Sequence, residues 1–232
     1  MEWEIEDKEL GTITFRRSPR ASRYTLKISE GGIVAVLPWD GDEKKMLSFI
    51  EDKRKQLLKA LDKRPAKTVL DESTDLQTNT FKLHIFCAER TNYYMTLEDG
   101  ILHIACPVNT DFAKEQVQEI LQDLLGRALR HEANRVLPFR LRELARKYHF
   151  SYTDVKITKS KTNWGSCNAR KGINLSRSLM FLPDHLIDYV LLHELCHTME
   201  MSHNEHFWRL MDSVTDNKAK LLRAQLKNYH TI

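Results

Sequence analysis

The segment His193-Glu194-Leu195-Cys196-His197 sets two imidazoles four residues apart with a carboxylate between them. On a helix, residues i and i+4 lie one above the other on one face. Two imidazoles so placed can bind a single tetrahedral Zn2+ through ring nitrogens at about 2.0–2.1 Å. The glutamate between them can reach a water on the same ion and take its proton, which is the chemistry of a metal-dependent hydrolase. The match is specific: in a chain with 10 histidines, chance gives about 0.03 such motifs. The stretch His131-Glu132-Ala133-Asn134-Arg135 shows a near miss, with arginine where the second ligand would stand. A surface helix carrying two unrelated histidines is the plain alternative for residues 193–197. It is disfavoured by Leu186, Ile187, Val190, Leu191 and Leu195, an apolar face that gives the helix something to bury and makes a rigid platform.

A catalytic zinc usually has three protein ligands and one open position. Glu200, His203 and His206 compete for the third place. Glu200 stands a turn beyond His197, and three ligands stacked on one straight helix leave the outer two too far apart for one ion. The chain must therefore bend back. Ser202 with Glu205 has capping-box spacing, and Asn204 is an alternative N-cap for the last helix. Either cap puts the bend at Ser202 to Asn204 and leaves His203 free to point at the metal. His206 falls a turn further on, beside Phe207 and Trp208, which read as core anchors, and faces away. His203 is the expected third ligand.

The elements that must position these residues read as α+β. Residues 13–15, 24–28 and 33–37 are rich in β-formers, with Gly31-Gly32 as a turn before the last of them and Pro38 as its end. Met46, Leu47, Ile50, Leu57, Leu58 and Leu61 recur at helical spacing after a cap at Asp40 or Asp42, and Arg64-Pro65 closes that helix. Strands follow over 81–87, 93–97 and 101–105, with Glu98-Asp99-Gly100 as a tight turn. Residues 1–106 thus read as an N-terminal antiparallel sheet with one helix. A joint at 107–110 leads into residues 107–232, a catalytic domain. There, helical patterns flank Pro138, which is expected to kink or interrupt the run. Two strands, 155–158 and 173–175, are joined by a loop holding Trp164-Gly165-Ser166-Cys167. Pro183-Asp184 opens the helix that carries the two histidines.

Composition bounds the setting. No apolar run approaches the roughly 20 residues of a membrane span, and Met1-Glu2-Trp3-Glu4 is no secretory signal, so a cytoplasmic protein with no membrane partner is expected. Cys87, Cys106, Cys167 and Cys196 form no C-x-x-C pair and read as free thiols. The net charge of +4 is too mild to require nucleic acid. The basic clusters, Arg16 to Arg23 and Arg127 to Lys147, read as solvated faces before they read as polyanion sites. Cys196 reads as helix packing. Trp164 and Ser166 either pack beneath the histidine helix or line a substrate cleft. Cys167 is a poorer nucleophile candidate than a metal-activated water. His84, His103, His149 and His230 stand alone.

His193 to His197, then His203, then Phe207-Trp208, resemble the signature of the YgjP-like zinc metallopeptidases, relatives of the SprT and WLM proteases. Trp164-Gly165-Ser166-Cys167 resembles that family's W-G-S-C motif. Residues 16–23 resemble its arginine-rich opening region, and residues 32–38 the strand after it, so the similarity runs from about residue 10 to 225. The resemblance implies a minimal zincin-like catalytic domain of helices and a small sheet, zinc on His193, His197 and His203, and Glu194 as base. The chain departs from the family pattern at Asn163, where a basic residue is common; Lys159 and Lys161 can supply charge there.

Three functions compete. The first is a peptidase acting on polypeptides. The second is a nucleoside triphosphate pyrophosphohydrolase whose phosphates would be held by Lys156, Lys159, Lys161, Arg170, Lys171 and Arg177. The third is a metal-stabilised module that binds DNA or a partner. The intact Glu194 argues against the third, because a purely structural metal needs no general base. The candidate substrate contacts are Trp164, Ser166, Lys159 and Lys161.

Overall fold

A computed structural model of the chain describes residues 2–29, 32–62 and 69–229. The Gly31 half of the turn signal, the Arg64-Pro65 helix end and His230 lie outside the described residues. The fold is α+β, in two compact units, Met1–Thr68 and Val69–Ile232.

The first unit holds β1 (Glu2–Asp7), β2 (Gly11–Ser18), β3 (Thr25–Ser29), β4 (Gly32–Pro38) and α1 (Glu43–Asp62). Its sheet has the order β1-β2-β4-β3. Ile13, Phe15, Ile33, Ala35 and Leu37 alternate onto one face and meet Met46, Ile50 and Leu57 of α1 in a core of their own. Two features differ from expectation. Strand β1 was not expected, since its alternation is only Trp3 and Ile5 among carboxylates. It is held by polar cross-strand pairs, such as Arg16 on Glu2 at 2.9 Å, and by Trp3 stacked on Phe15. The sheet is also not purely antiparallel, because β2 and β4 run parallel.

The second unit begins well before the expected joint at residue 107. It holds β5 (Lys82–Ala88), β6 (Tyr94–Glu98) and β7 (Ile101–Pro107), in the order β5-β7-β6. The β6–β7 turn is the expected one, with Asp99 and Gly100 both at positive φ. The division falls at Thr68 because the inner face of this sheet, including Leu83, Ile85, Leu102 and Ile104, shares one core with α2 (Glu115–Lys147) and everything after it. A sheet that buries its face against the catalytic helices belongs with them.

Helix α2 runs through Pro138 without the interruption that was one of the two expected outcomes there. Proline removes one helical hydrogen bond and crowds the preceding turn, at a cost of about 3 kcal/mol. Leu137 and Leu141, both fully buried on either side of it, continue the core-facing stripe and offset that cost. After α2 come β8 (Val155–Thr158), β9 (Gly165–Cys167) and β10 (Ile173–Ser176) in the order β8-β10-β9. Strand β10 pairs parallel with β8 and antiparallel with β9. A 3-10 helix (Arg177–Phe181) leads to α3 (Asp184–Cys196), α4 (Glu205–Val214) and α5 (Ala219–Leu226). Arg140 of α2 grips α3 by donating to Asp188 at 2.5 Å and to Asp184. Among the described residues, no helix is long and apolar enough to cross a membrane.

If α2 keeps its buried stripe through Pro138, Leu137→Ala should cost about 2–5 kcal/mol of unfolding free energy. Phe139→Ala, at a side chain 63% exposed, should stay within roughly 0.5 kcal/mol. Urea denaturation of the two variants checks this. Equal losses would mean that the helix turns a different face to the core.

Candidate metal centre

Helix α3 buries Leu186, Ile187, Val190, Leu191 and Leu195, so its remaining face is fixed in direction. His193 and Glu194 lie in its last turn, and His197 is its C-cap, with the amide of His197 donating to the His193 carbonyl at 3.2 Å. The chain then bends. Ser202 donates its amide to the Glu200 side chain, and the amide of Asn204 donates to the Ser202 carbonyl at 2.8 Å. Of the two possible caps, Asn204 is the one used: its side chain accepts the Phe207 amide at 3.0 Å. His203 sits in this bend, as the capping argument requires.

The bend brings three ring nitrogens together. Nε2 of His193 lies 3.2 Å from Nε2 of His197 and 3.0 Å from Nε2 of His203, and the third side is 3.2 Å. Among the described residues, no other group of three His, Cys, Asp or Glu converges in this way. Glu200 and His206 point elsewhere. The Glu200 side chain caps the bend, and His206 lies by Arg209, with 3.3 Å between Nδ1 and the guanidinium.

These residues fit a divalent transition metal. A tetrahedral ion with bonds of about 2.0–2.1 Å holds its nitrogens about 3.3–3.4 Å apart, and the observed sides are within a few tenths of an ångström of that. Nδ1 of His197 lies 3.0 Å from the Glu200 carbonyl, which can only accept. That hydrogen bond puts the proton on Nδ1 and turns the Nε2 lone pair toward the other two rings. Burial, and then the neighbouring imidazoles of His197 and His203, push His193 down to about 3. His197 is lowered too, chiefly by burial. Both rings are therefore neutral at pH 7, the form that binds metal. Nδ1 of His193 is buried without a hydrogen-bond partner among the described residues, so packing orients that ring, with Tyr189 at 6.1 Å and Phe207 at 4.9 Å between centroids.

Glu194 is buried, and its Oε2 has no hydrogen-bond partner among the described residues. Burial pushes its carboxyl up to about 8. A buried carboxylate without a partner is costly, and a cation held by the adjacent imidazoles is the charge that would offset the cost.

Two residues that build this centre had no assigned role there in the sequence. Phe207 is fully buried and touches all three imidazoles, with centroids 4.9, 4.5 and 4.8 Å from His193, His197 and His203. It is a core anchor, as expected, and also the floor of the triad. Gly165 passes so close to Glu194 that a Cβ on it would lie 2.7 Å from the carboxylate Oε1. Only glycine leaves that carboxylate its place. Of the W-G-S-C segment, read as a loop, Gly165 to Cys167 are strand β9, and its glycine was the available signal.

The four candidate substrate contacts are not brought together. Trp164 packs against the core of the second unit. Because Gly165 faces Glu194, the next side chain along the strand, Ser166, faces the opposite side. There it accepts from Asn174 at 3.3 Å. Ser166 and Lys159 line a polar cleft of about 450 Å³ with Thr158, Ser160, Asn163, Gly165, Asn174 and Ser176. Lys161 is not among the residues that line it. Of the basic residues around this segment, Arg177 donates to the Gly126 carbonyl of α2 at 2.8 Å, which is a packing role. Burial pushes the Cys167 thiol up, with Glu194 adding to it, so it is no activated nucleophile. Cys196, buried in α3, is pushed up to about 12.

A protein-family model described as "YgjP-like, metallopeptidase domain" matches residues 22–229. Among solved structures, the crystal structure of the metallopeptidase zymogen of Pyrococcus abyssi abylysin is similar at 20% identity and a TM-score of 0.37, covering 40% of this chain and 93% of that one. A search of curated proteins found no match.

Metal analysis after gel filtration tests the ligand set. His203→Ala should lose stoichiometric divalent metal, while Glu200→Ala and His206→Ala keep it. Full occupancy in His203→Ala, with loss in either of the others, would show that a different third ligand is used.

Proposed function

Because the chain belongs to the YgjP-like metallopeptidase family, we propose that it is a zinc-dependent peptidase in which His193, His197 and His203 hold the ion and Glu194 is the general base. The observation that carries this reading is the convergence of three imidazole Nε2 atoms, 3.0–3.2 Å apart, beside a buried glutamate on the same helix. Bound there, zinc supplies a Lewis acid and lowers the pKa of a water toward neutrality. Three nitrogen ligands without cysteine, next to a base, are the donor set of a catalytic rather than a structural zinc site.

Glu194 then has two tasks. Its carboxylate accepts the proton of the attacking water, and its carboxyl returns that proton to the departing amine. It lies between His193 and His197 in the chain, and burial keeps bulk water from competing for the proton. Gly165, by carrying no side chain, leaves the carboxylate room to do both.

Strand β9 supports a polypeptide as substrate. It is the outer strand of its sheet, paired on one side with β10 and on the other with no strand among the described residues. An extended peptide can add to such an edge through main-chain hydrogen bonds, and this edge runs past the Glu194 carboxylate. The nucleotide reading is less well served. Of Lys159 and Lys161, only Lys159 lines the cleft beside β9.

Zinc-loaded protein should hydrolyse an unfolded polypeptide and leave nucleoside triphosphates intact. Glu194→Gln should lose at least about 10²-fold in kcat/KM while keeping its zinc. Gly165→Ala should fall in the same direction, since its methyl group would displace the carboxylate. Lys159→Ala and Lys161→Ala should change peptide turnover little. Half or more of normal activity in Glu194→Gln would remove it as the base, and nucleotide turnover abolished by the lysine changes would favour the phosphate reading.

A further inference from the structure

The unit that carries the three converging histidines holds a second imidazole pair on another sheet. His84 of β5 and His103 of β7 are partners in the register of two parallel strands, so their side chains share a face. Each had read as an isolated histidine, because nothing local in the sequence links residues on parallel strands. Leu83, Ile85, Leu102 and Ile104 are buried, which turns the alternate positions 84 and 103 to the other face of the sheet. There the two Nδ1 atoms lie 3.1 Å apart. The rings stand nearly perpendicular, at 84° with centroids 5.3 Å apart. Phe86 stacks on His84 at 5.2 Å and meets His103 edge-on at 6.4 Å. Strand pairing and this aromatic wall hold both rings in place.

We propose that His84 and His103 form a two-imidazole site for a divalent transition-metal ion, separate from the three-histidine centre. At metal–nitrogen bonds of about 2.0–2.1 Å, two nitrogens on one ion are about 2.9 Å apart at a right angle and about 3.3–3.4 Å apart in a tetrahedron. The observed 3.1 Å lies between the two. Imidazole nitrogen selects zinc, nickel and copper over magnesium and calcium. With the proton shared between the Nδ1 atoms, one ring donates and the other accepts. An ion takes the place of that proton, which moves to Nε2 of its own ring, so each Nδ1 gives a lone pair. Among the described residues no His, Cys, Asp or Glu joins the pair to make three ligands. Water completes the shell, and the site is therefore weaker and more readily exchanged than the three-histidine centre.

The test uses the full chain, first saturated with zinc and freed of excess, then titrated with Ni2+ by calorimetry. Nickel is chosen because it does not oxidise free thiols as copper would. Metal analysis confirms that the first zinc is retained. One Ni2+ per chain should bind to the unaltered protein, and affinity should fall about tenfold or more in His84→Ala and in His103→Ala. The double variant should be no weaker than either single one, because a lone imidazole cannot chelate. Zinc content and peptide hydrolysis should be unchanged in all three, so that failure here is distinct from failure of the peptidase reading. Unchanged nickel affinity in both single variants, or no binding to the unaltered chain at millimolar Ni2+, would overturn the proposal and leave a hydrogen bond between two neutral rings. If an alanine variant does not fold, paramagnetic broadening by Ni2+ of the His84 and His103 ring signals in the unaltered chain decides the point. Broadening of both supports the site, and broadening only of other histidines overturns it.

Discussion

Three imidazole nitrogens held 3.0–3.2 Å apart repel one another wherever their lone pairs meet, and the surrounding structure exists to hold them in that arrangement. Each ring is held by a different means. His193 is carried by a helix whose apolar face leaves it no rotational freedom. His197 is aimed by its hydrogen bond to the Glu200 carbonyl. His203 is returned by a bend that Asn204 closes. Phe207, the only side chain in ring contact with all three among the described residues, fills the space beneath them. A cation converts the repulsion into attraction, and offsets the burial of Glu194 as well.

The same constraint explains the architecture of the second unit. A helix end that presents ligands precisely enough for one ion must sit on rigid support. Arg140 ties α3 to α2 through Asp184 and Asp188, and α2 is long enough to reach the sheet of β5, β6 and β7 within the same core. The arginines of α2, read from the sequence as a solvated face, thus include struts: Arg140 on α3, and Arg135 on the buried Glu132 at 2.6 Å.

Much of the centre was legible because its signals are local. The i, i+4 spacing of His193 and His197, the apolar face before them and the cap after the bend all lie within about six helical turns of chain. The choice of His203 over Glu200 and His206 rested on the bend and cap expected after His197 and on the family resemblance. What was not legible depends on pairings between distant residues. Parallel registers, β2 with β4 and β5 with β7, leave no mark on hydrophobic periodicity, so the sheets were expected to be antiparallel. The 107–110 segment has the look of a joint, yet the strand before it shares its core with the helix after it. Gly165 reads as a turn glycine until its neighbour across space, Glu194, is known. Pro138 is a helix breaker by local rule, and the burial of Leu137 and Leu141 overrides it.

The central claim is that one zinc ion is held by the three imidazoles of His193, His197 and His203, with a water in the open position. X-ray absorption spectroscopy of the full chain loaded with one equivalent of zinc tests this most directly. The account predicts a first shell of three imidazole nitrogens and one oxygen at about 2.0–2.1 Å, with the multiple-scattering pattern of histidine rings. A sulfur shell near 2.3 Å, or a shell of oxygens with fewer than three imidazoles, would contradict it.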